Sequence, residues 1–286
     1  MRFAITGCDS SSGVFNEFLN AGWEPVKLFV YSTHGSLDSN HKIIELAQSK
    51  HINVQLSRMT EDDLRGLGDS GCDVLIVANY KWRIGNWRPY LKHAVNFHPS
   101  PLPEARGPYP IVRAILEKRK SWAVSCHRLD PDFDTGDILA AETFQLDENE
   151  CHESLSLKTQ MASVRLAGRV ANNFLELWNQ AAPQGPGDYW PRLTQDELTI
   201  NFSSPVDAIM LQVRALGLLE CLAYVNGILI CVRRAVGWTE MHGHLAGTVV
   251  HVNNKTIVVA AQNGYIGIID WNVVSADVSR AFPQQF

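Results

Sequence analysis

The stretch Asn96–Pro103, NFHPSPLP, follows two apolar runs, Asp73–Asn79 and Tyr90–Val95. Both runs have the composition of buried strands, so Asn96 and His98 are expected where a strand opens into a loop. In an alternating strand these two side chains share one face, and the phenylalanine between them turns into the core. The prolines that follow lack a backbone donor and hold the loop extended. An amide and an imidazole held beside a rigid, proline-rich loop indicate a functional site.

Strands and helices alternate in the first half of the chain. Strands are predicted at Phe3–Thr6, Val26–Tyr31, Val54–Leu56, Asp73–Asn79, Val124–Leu129 and Ile138–Phe144, and helices at Val14–Ala21, Lys42–Ser49 and Ile111–Lys120. This alternation predicts a Rossmann-like α/β fold with a mostly parallel sheet, in which ligands bind at the carboxyl ends of the strands. Gly7 and Gly13 alone do not supply the dinucleotide-binding fingerprint, so their turn is interpreted as structural.

The stretch Ser154–Trp178 has helical periodicity throughout and predicts one long helix. Its predicted buried face consists of Leu155, Leu157, Met161, Val164, Leu166, Val170, Phe174 and Leu177. We interpret this helix as part of the core, without a chemical role.

Prolines and glycines in Ala182–Gly187 indicate a domain boundary. The predicted domains are a catalytic domain at 1–182, a linker at 183–205 and a C-terminal domain at 206–286. Beyond the boundary, Val206–Leu216 predicts a helix, and Asn226-Gly227 predicts a hairpin turn. Short strands are predicted at Ala223–Val225, Ile228–Val232, Gly247–Val252, Thr256–Ala260 and Ile266–Trp271. Short strands of even spacing favour a small β-barrel.

A second segment, Cys126–Leu139, reads CHRLDPDFDTGDIL. Together with NFHPSPLP it resembles the signature of the formyltransferases that use 10-formyltetrahydrofolate. That family includes methionyl-tRNA formyltransferase, glycinamide ribonucleotide transformylase, and enzymes that formylate amino sugars or hydroxyornithine. The resemblance implies that Asn96, His98 and Asp134 are catalytic, since they match the family's Asn-x-His-x-Ser-x-Leu-Pro and Asp-x-Gly patterns. It also implies that the C-terminal barrel is OB-like.

The resemblance further implies contacts with the folate, because the family packs the loop after the equivalent strand against the pterin ring. The candidates for folate contacts are Tyr80, Lys81, Trp82, Arg83, Ser100, Asp132 and Phe133. Surface packing of Trp82 and solvation of Lys81 and Arg83 are equally good interpretations. Arg106 and Tyr109 are assigned to the acceptor, where Tyr109 is expected to stack on a base or sugar. A packed loop aromatic is the alternative for Tyr109.

The chemistry follows from residue types. An amine that attacks a formyl carbon creates a negative oxygen, which needs donors already aimed at it. The Asn96 amide and a protonated His98 ring are suited to this, and a carboxylate at Asp134 is expected to raise the pKa of His98. The amine proton can leave through His98, Asp134 or an ordered water, and the sequence does not choose. The neighbouring carboxylates Asp130, Asp132 and Asp137 are alternatives to Asp134.

Two other chemistries are disfavoured. A zinc site made of His98, Cys126 and His127 would need side chains from adjacent strand positions, which point to opposite faces. We therefore predict no metal, with one of Cys126 and His127 buried as structure. Ser100 lies among prolines without the pattern of a nucleophile elbow.

The charge of the chain distinguishes between a tRNA and a small amine as the acceptor of the formyl group. Residues 181–286 contain six Lys or Arg and eight Asp or Glu, and the whole chain has a net charge of −5. The loop Ser32–Lys42 has one lysine, whereas tRNA formyltransferases carry a basic insertion there. Because tRNA binding needs many phosphate contacts, we favour a nucleotide-linked amino sugar or a hydroxyornithine-like amine. Methionyl-tRNA formyltransferase is the alternative, followed by a 10-formyltetrahydrofolate hydrolase and a non-catalytic folate-binding protein.

Composition is that of a soluble enzyme with two cores, since 45% of the 286 residues are hydrophobic. Six scattered cysteines favour reduced, mostly buried thiols. The N-terminal apolar run is too short for a signal peptide, and no stretch has the roughly 20 apolar residues of a membrane span. We expect a cytoplasmic protein without membrane partners. A homodimer is left open.

Overall fold

The computed structural model describes residues 1–31, 39–253 and 255–274. The chain divides into two compact units. The first unit consists of Met1–Pro110, Ser121–Leu146 and Ser156–Trp190, and the second of Ile111–Lys120, Asp147–Leu155 and the chain from Pro191 onward. The domain bounds given above remain a prediction.

A seven-stranded sheet forms the first unit. Its strands are β1 (Arg2–Thr6), β2 (Glu24–Phe29), β3 (Asn53–Gln55), β4 (Val74–Val77), β5 (His93–His98), β6 (Ser121–Arg128) and β7 (Ile138–Gln145). They lie in the order β3-β2-β1-β4-β5-β6-β7. The first five are parallel, and β6 and β7 pair in antiparallel fashion at one edge. The predicted mostly parallel sheet is confirmed, and β4 is fully buried as expected for its central place.

Among the described residues, six helices accompany these strands in the chain: α1 (Ser12–Asn20), α2 (His41–Ser49), α3 (Glu61–Asp69), α4 (Pro110–Leu116), α5 (His152–Asn172) and α6 (Phe174–Asn179). Helix α3 was not predicted from periodicity. Its start is fixed by Thr60, whose hydroxyl accepts from the Asp63 backbone N–H at 3.2 Å, while the Asp63 carboxylate accepts from the Thr60 N–H at 2.8 Å. This reciprocal capping box satisfies two N–H groups that a helix start leaves without partners.

The single long helix predicted at Ser154–Trp178 is wrong, because the structure has α5 and α6 with a break at Asn173. The asparagine side chains at the break compete with the helical ladder. The Asn172 amide donates to Gly168 O at 2.7 Å, and the Asn173 amide donates to Arg169 O at 3.0 Å. Side-chain hydrogen bonds of this kind offer the backbone an alternative to helix, and the chain restarts after Asn173.

Two residues of the predicted buried face are exposed. Leu157 is 60% and Met161 is 61% exposed, so both predictions were wrong. The helix instead buries alanines between its larger residues: Leu155, Ala162, Leu166, Ala167, Val170 and Ala171. Small residues on the buried face allow close packing, and a search for large apolar side chains overlooks them.

An aromatic cluster in the core of the first unit supports the end of β5. Phe97, on β5, packs edge-on against Phe18 of α1 with ring centroids 6.3 Å apart. Phe18 in turn contacts Trp23 at 4.9 Å and Phe3 at 5.7 Å. Because Phe97 is held in this cluster, its neighbours Asn96 and His98 face the opposite side of the strand.

The second unit contains α7 (Gln195–Leu198), α8 (Val206–Leu216) and five antiparallel strands: β8 (Cys221–Val225), β9 (Ile228–Thr239), β10 (Val249–Val252), β11 (Ile257–Ala261) and β12 (Gly264–Val273). The strands lie in the order β10-β11-β12-β9-β8. The predicted hairpin is confirmed, since Asn226 and Gly227 both have positive φ (48° and 78°) between β8 and β9. Strand β9 runs beyond its predicted end at Val232 and pairs with β12 as far as Thr239.

In the part of the chain that the structure describes, no helix is both long and apolar enough to cross a bilayer. All six cysteines are free thiols, and all but Cys151 are buried.

The aromatic cluster provides a stability test. Phe18 is fully buried, so Phe18→Ala is expected to lower the free energy of unfolding by about 3–5 kcal/mol. Leu175→Ala is the control, since that side chain is 55% exposed and its loss is expected to change stability by less than about 0.5 kcal/mol. Urea unfolding followed by tryptophan fluorescence measures both. Equal effects of the two substitutions would contradict the placement of Phe18.

Candidate active site

Strands β5 and β6 set the first side chains of the site. Their antiparallel register places Asn96 opposite His127 and His98 opposite Ser125. The Asn96 Nδ2 atom lies 3.1 Å from His127 Nε2. Both histidines are buried, whereas Asn96 is partly exposed. An amide and two imidazoles therefore meet at the carboxyl end of β5, where a parallel sheet binds ligands.

A carboxylate from the loop between β6 and β7 joins them. Asp134 has a φ of 60°, in the left-handed region that Asp and Asn tolerate better than most residues. Its Oδ1 atom lies 3.4 Å from His98 Nδ1, 3.3 Å from Asn96 Nδ2 and 3.7 Å from His127 Nε2. The structure thus brings together Asn96, His98 and Asp134, as the sequence motifs suggest.

The loop after β5 completes the surroundings with backbone groups. His98 Nε2 lies 3.0 Å from the Ala105 carbonyl oxygen, and the Gly107 N–H donates to Asp134 Oδ2 at 3.0 Å. Gly107 has a φ of 113°, and a Cβ atom there would lie 2.2 Å from Trp190 O. Only glycine fits this position, so the chain offers a backbone donor where a side chain would clash.

Hydrogen-bond partners assign the protons on the two rings. A carbonyl oxygen only accepts, so His98 Nε2 donates to Ala105 O, and His127 Nδ1 donates to Arg128 O at 2.8 Å. In its neutral form His127 therefore accepts at Nε2 from the Asn96 amide. The amide of Asn96 uses its two hydrogens on His127 and Asp134. In the neutral form of His98, Nδ1 is the unprotonated nitrogen.

The pKa values of the two central groups move in the same direction. Burial on its own would raise the pKa of Asp134, but His127, the charge of His98 and the Gly107 N–H outweigh it and lower that pKa to about 2. Burial lowers the pKa of His98, and this exceeds the opposing effects of Asp134 and the Ala105 carbonyl. The sequence analysis expected the carboxylate to raise this pKa. It does so, but desolvation of the fully buried ring is larger, so the net shift is downward.

Residues 33–170 match the family model described as formyl transferase. A methionyl-tRNA formyltransferase from Coprothermobacter proteolyticus is 34% identical over 172 residues, which cover 57% of this chain and 55% of that protein. The matched part of the chain is similar to formyl transferases. Another methionyl-tRNA formyltransferase, from Orientia tsutsugamushi, is 28% identical over 216 residues, or 74% of this chain and 70% of the relative. The chain spans about half the length of the first of these relatives.

Solved structures share the fold of this chain. A HypX variant from Aquifex aeolicus superposes with a TM-score of 0.73 at 17% identity, covering 99% of this chain and 47% of that one. An N-formyltransferase from Helicobacter canadensis, solved with folinic acid and dTDP-3-aminofucose, has a TM-score of 0.66 at 15% identity and covers 95% of this chain and 99% of that one. At these identities the likeness shows the fold.

His127 is a site residue that was not predicted from the sequence. It was considered there only as one of three ligands of a disfavoured zinc site, although its ring contacts both Asn96 and Asp134. The signal lay in strand pairing, since β6 runs antiparallel to β5 and places His127 opposite Asn96. Alternation along one strand cannot give that register. Among the residues that the structure describes, no group of three His, Cys, Asp or Glu side chains is arranged to hold a metal ion.

The alternative carboxylates lie elsewhere. Asp130 pairs with Arg88 at 2.5 Å, and Asp137 pairs with Arg128 at 2.7 Å. Asp132 is exposed, and its backbone carbonyl accepts from the Thr135 hydroxyl at 3.1 Å. Of the four loop carboxylates, Asp134 is the one placed beside Asn96 and His98.

The residues suggested for the folate fall into two segments that meet. Arg83 donates to Pro131 O, and its guanidinium lies 5.8 Å from the centre of the Phe133 ring. Phe133 is 56% exposed. Lys81 Nζ lies 5.0 Å from the centre of the Trp82 ring. Tyr80 is partly buried, and its hydroxyl accepts from the Met59 N–H at 2.8 Å, which fixes it to the core side of the segment.

The remaining candidates lie in the loop after β5. Ser100 is fully buried, and its hydroxyl donates to Glu104 O at 2.9 Å, which closes the loop. The Arg106 guanidinium donates to Gln184 Oε1 from Nη2 at 2.8 Å. Tyr109 is partly buried and directly precedes α4. Roles of these residues in binding folate or acceptor remain predictions.

The coupling between Asp134 and His98 is testable without turnover. Asp134→Asn keeps the side-chain shape and a residue type that tolerates positive φ, but removes the charge that holds the pKa of His98 up. The pKa of His98 is therefore expected to fall further, as measured by NMR titration of the histidine ring signals. Asp132→Asn, an exposed neighbour, is the matched control and should leave this pKa in place. An unchanged pKa in Asp134→Asn would refute the contact.

Proposed function

We propose that this protein transfers a formyl group from 10-formyltetrahydrofolate to the primary amine of a small biosynthetic acceptor. The acceptor we propose is a nucleotide-linked amino sugar or a hydroxyornithine-like amine. The observation that carries the proposal is the convergence of Asn96 and His98 on Asp134, at 3.3 and 3.4 Å, within the segment that matches the formyl transferase family model.

The residues around the site fit a folate. Phe133 offers an exposed ring with the Arg83 guanidinium against it, and Trp82 offers a second aromatic surface on the neighbouring segment. A flat pterin stacks on aromatic rings, and a guanidinium suits the carboxylates of the glutamyl tail. Bound there, 10-formyltetrahydrofolate supplies the formyl carbon, and tetrahydrofolate departs.

Asp134 serves as an anchor in this scheme. With a pKa of about 2, its carboxylate stays ionised near neutral pH and is a poor proton acceptor. It attracts the acceptor amine and stabilises a positive charge on His98. This assignment removes one of the three routes that the sequence left open for the amine proton.

His98 is the residue we assign to proton transfer. Its pKa lies below the ordinary histidine value, so the ring is neutral and Nδ1 is free of a proton near pH 7. When Nδ1 takes a proton from the attacking amine, Asp134 Oδ1 lies 3.4 Å away and Ala105 O still accepts from Nε2. The same proton can then be returned from Nδ1 to the departing nitrogen, so the ring ends in its starting form.

Asn96 is assigned to the formyl oxygen. Its amide is held in place by His127 and Asp134, and donating to the negative oxygen replaces one of these two bonds. Because the amide is already oriented, little reorganisation is needed as charge develops. Removing one such donor typically costs about 100- to 1000-fold in rate.

Charge supports a small acceptor. Residues 181–286 carry more acidic than basic side chains, and the chain is acidic overall. A nucleic-acid partner would require a basic surface. Residues 32–38 of the loop Ser32–Lys42, which has one lysine, lie outside the described residues. The solved proteins that share the fold include sugar N-formyltransferases.

A methionyl-tRNA formyltransferase is the second candidate. It is favoured by the relatives named methionyl-tRNA formyltransferase, which are 24–34% identical to this chain. The two functions differ in their dependence on salt, because binding of tRNA releases counterions and weakens steeply as salt rises.

Release of tetrahydrofolate, followed by absorbance, tests the proposal with several acceptors. The panel contains dTDP- and UDP-linked amino sugars, hydroxyornithine, charged initiator tRNA, and no acceptor. Turnover that requires a small amine supports the proposal. Turnover with tRNA alone supports the second candidate, turnover without an acceptor identifies a hydrolase, and folate binding without turnover identifies a binding protein.

His98→Ala is expected to lower kcat by about 100- to 10,000-fold, the usual contribution of a general acid–base group. His251→Ala, at an exposed position on β10, is the matched control and should retain wild-type turnover. Full activity in His98→Ala would exclude the role assigned to this ring.

Tyr109→Ala separates acceptor contacts from folate contacts. If Tyr109 stacks on the acceptor, its loss raises the acceptor KM by about tenfold or more, since stacking contributes on the order of 1–3 kcal/mol per base. The KM for 10-formyltetrahydrofolate should stay constant. Steady-state kinetics with each substrate varied in turn provides the measurement, and an unchanged acceptor KM would discard the contact.

A further inference from the structure

The segment 182–190, here called the brace, lies against the two loops that surround Asp134. At its start, Ala182 and Ile138 exchange backbone hydrogen bonds of 2.8 and 3.0 Å. At its end, Arg106 N–H donates to Asp188 O at 3.1 Å, and Trp190 N–H donates to Arg106 O at 2.6 Å. The brace therefore binds the start of β7 and the loop after β5 in one stretch of chain.

Trp190 anchors the end of the brace. Its ring is buried and stacks on Trp122 with centroids 5.9 Å apart. The Asp188 carboxylate accepts from the Trp190 ring N–H at 2.7 Å and from the Ala105 N–H at 3.4 Å. Ala105 is the residue whose carbonyl holds His98, so the brace reaches the site from this side as well.

One side chain of the brace spans both loops. The Gln184 amide nitrogen donates to Asp134 O at 2.9 Å and to Gly136 O at 2.6 Å. Its Oε1 accepts from Arg106 Nε at 3.1 Å and from Arg106 Nη2 at 2.8 Å. Both hydrogens of the amide are used. The orientation is unambiguous, because the flipped amide would face two carbonyls with an oxygen and the guanidinium with a donor.

The hydrogen bonds of Gln184 fix two parts of the chain that determine where the Asp134 carboxylate lies. Gln184 fixes the backbone of Asp134 itself. It also fixes Arg106, the residue next to Gly107, and the Gly107 N–H donates to Asp134 Oδ2. We propose that Gln184 is a positioning residue for the formyl-transfer site, which sets the separation of Asp134 and His98 by joining the loop of residues 134–136 to the loop of residues 105–107. The effect on rate rests on the proposed function, whereas the effect on geometry does not.

The first test is Gln184→Ala. Loss of the four bonds lets the Asp134 loop move away from His98, so kcat is expected to fall about 10- to 100-fold, the scale of a misplacement near 1 Å. The KM for 10-formyltetrahydrofolate should change little. Gln180→Ala, the same chemical change at an exposed position four residues earlier, is the control and should keep wild-type kcat. Wild-type kcat in Gln184→Ala would overturn the inference.

A second variant distinguishes the hydrogen bonds made by the amide oxygen of Gln184 from those made by its amide nitrogen. Gln184→Glu keeps an acceptor for Arg106 but has no hydrogens for the carbonyls of Asp134 and Gly136, so its kcat should fall as in Gln184→Ala. Wild-type kcat in Gln184→Glu would mean that only the Arg106 contact matters, and would overturn the positioning of the Asp134 loop. Gln184→Met, of similar length and without hydrogen bonds, replaces the alanine variant if that protein does not fold.

A double-mutant comparison tests whether Gln184 acts through the carboxylate. In an Asp134→Asn background, Gln184→Ala should lower kcat no further, because the charge it positions is gone. Additive losses would indicate a general structural role and overturn the inference.

The NMR titration of His98 provides a readout that does not need turnover. In Gln184→Ala the pKa of His98 should fall toward its value in Asp134→Asn, and in Gln180→Ala it should not move. If the wild-type protein turns over no acceptor, the proposed function fails while this titration still decides the positioning role. If turnover is present and the titration does not move, the positioning role fails alone.

Discussion

The carboxylate of Asp134 carries a negative charge at a position only 11% exposed. An isolated charge there would be costly, so donors must surround it. The Asn96 amide and the Gly107 N–H donate to it, and the Gly107 N–H together with the two nearby histidines lowers its pKa to about 2. Since the folded pKa lies below the unfolded value near 3.9, this charge contributes about 2 kcal/mol of stability above pH 4, and the contribution is lost as the pH falls toward 2.

The groups around the carboxylate come from different parts of the chain, which explains why the fold matters to the site. Asn96 is placed by β5, His127 by β6 and Gly107 by the loop that follows β5. Phe97 holds the end of β5 through the aromatic cluster, and that contact directs its two neighbours toward the carboxylate. A change in the core at Phe97 or Phe18 is therefore coupled to the site through one strand.

Much of this arrangement could be predicted from the sequence. The alternation of apolar runs predicted the parallel sheet, and the two motifs predicted three of the four side chains of the site, Asn96, His98 and Asp134. The fourth, His127, required the register between β5 and β6, which depends on a long-range pairing that local pattern does not encode. For the same reason Gln184 was interpreted as part of a boundary, although its partners lie 48 to 78 residues away in the chain.

The helical region shows the other limit of sequence patterns. Leu157 and Met161 have the spacing of a buried face, but half of the buried hydrophobic residues of α5 are alanines. The break at Asn173 arises from side-chain hydrogen bonds to the backbone, which compete with helix at a strength that periodicity does not measure.

The position of the brace bears on how the protein is made. The match to the family model ends at residue 170, before any of the brace residues. Gln184 follows Asp134 by 50 residues, so all seven strands of the sheet are synthesised before the brace. Because domains generally fold as units, the site obtains its full set of contacts only when the chain has been made as far as Trp190, which packs on Trp122.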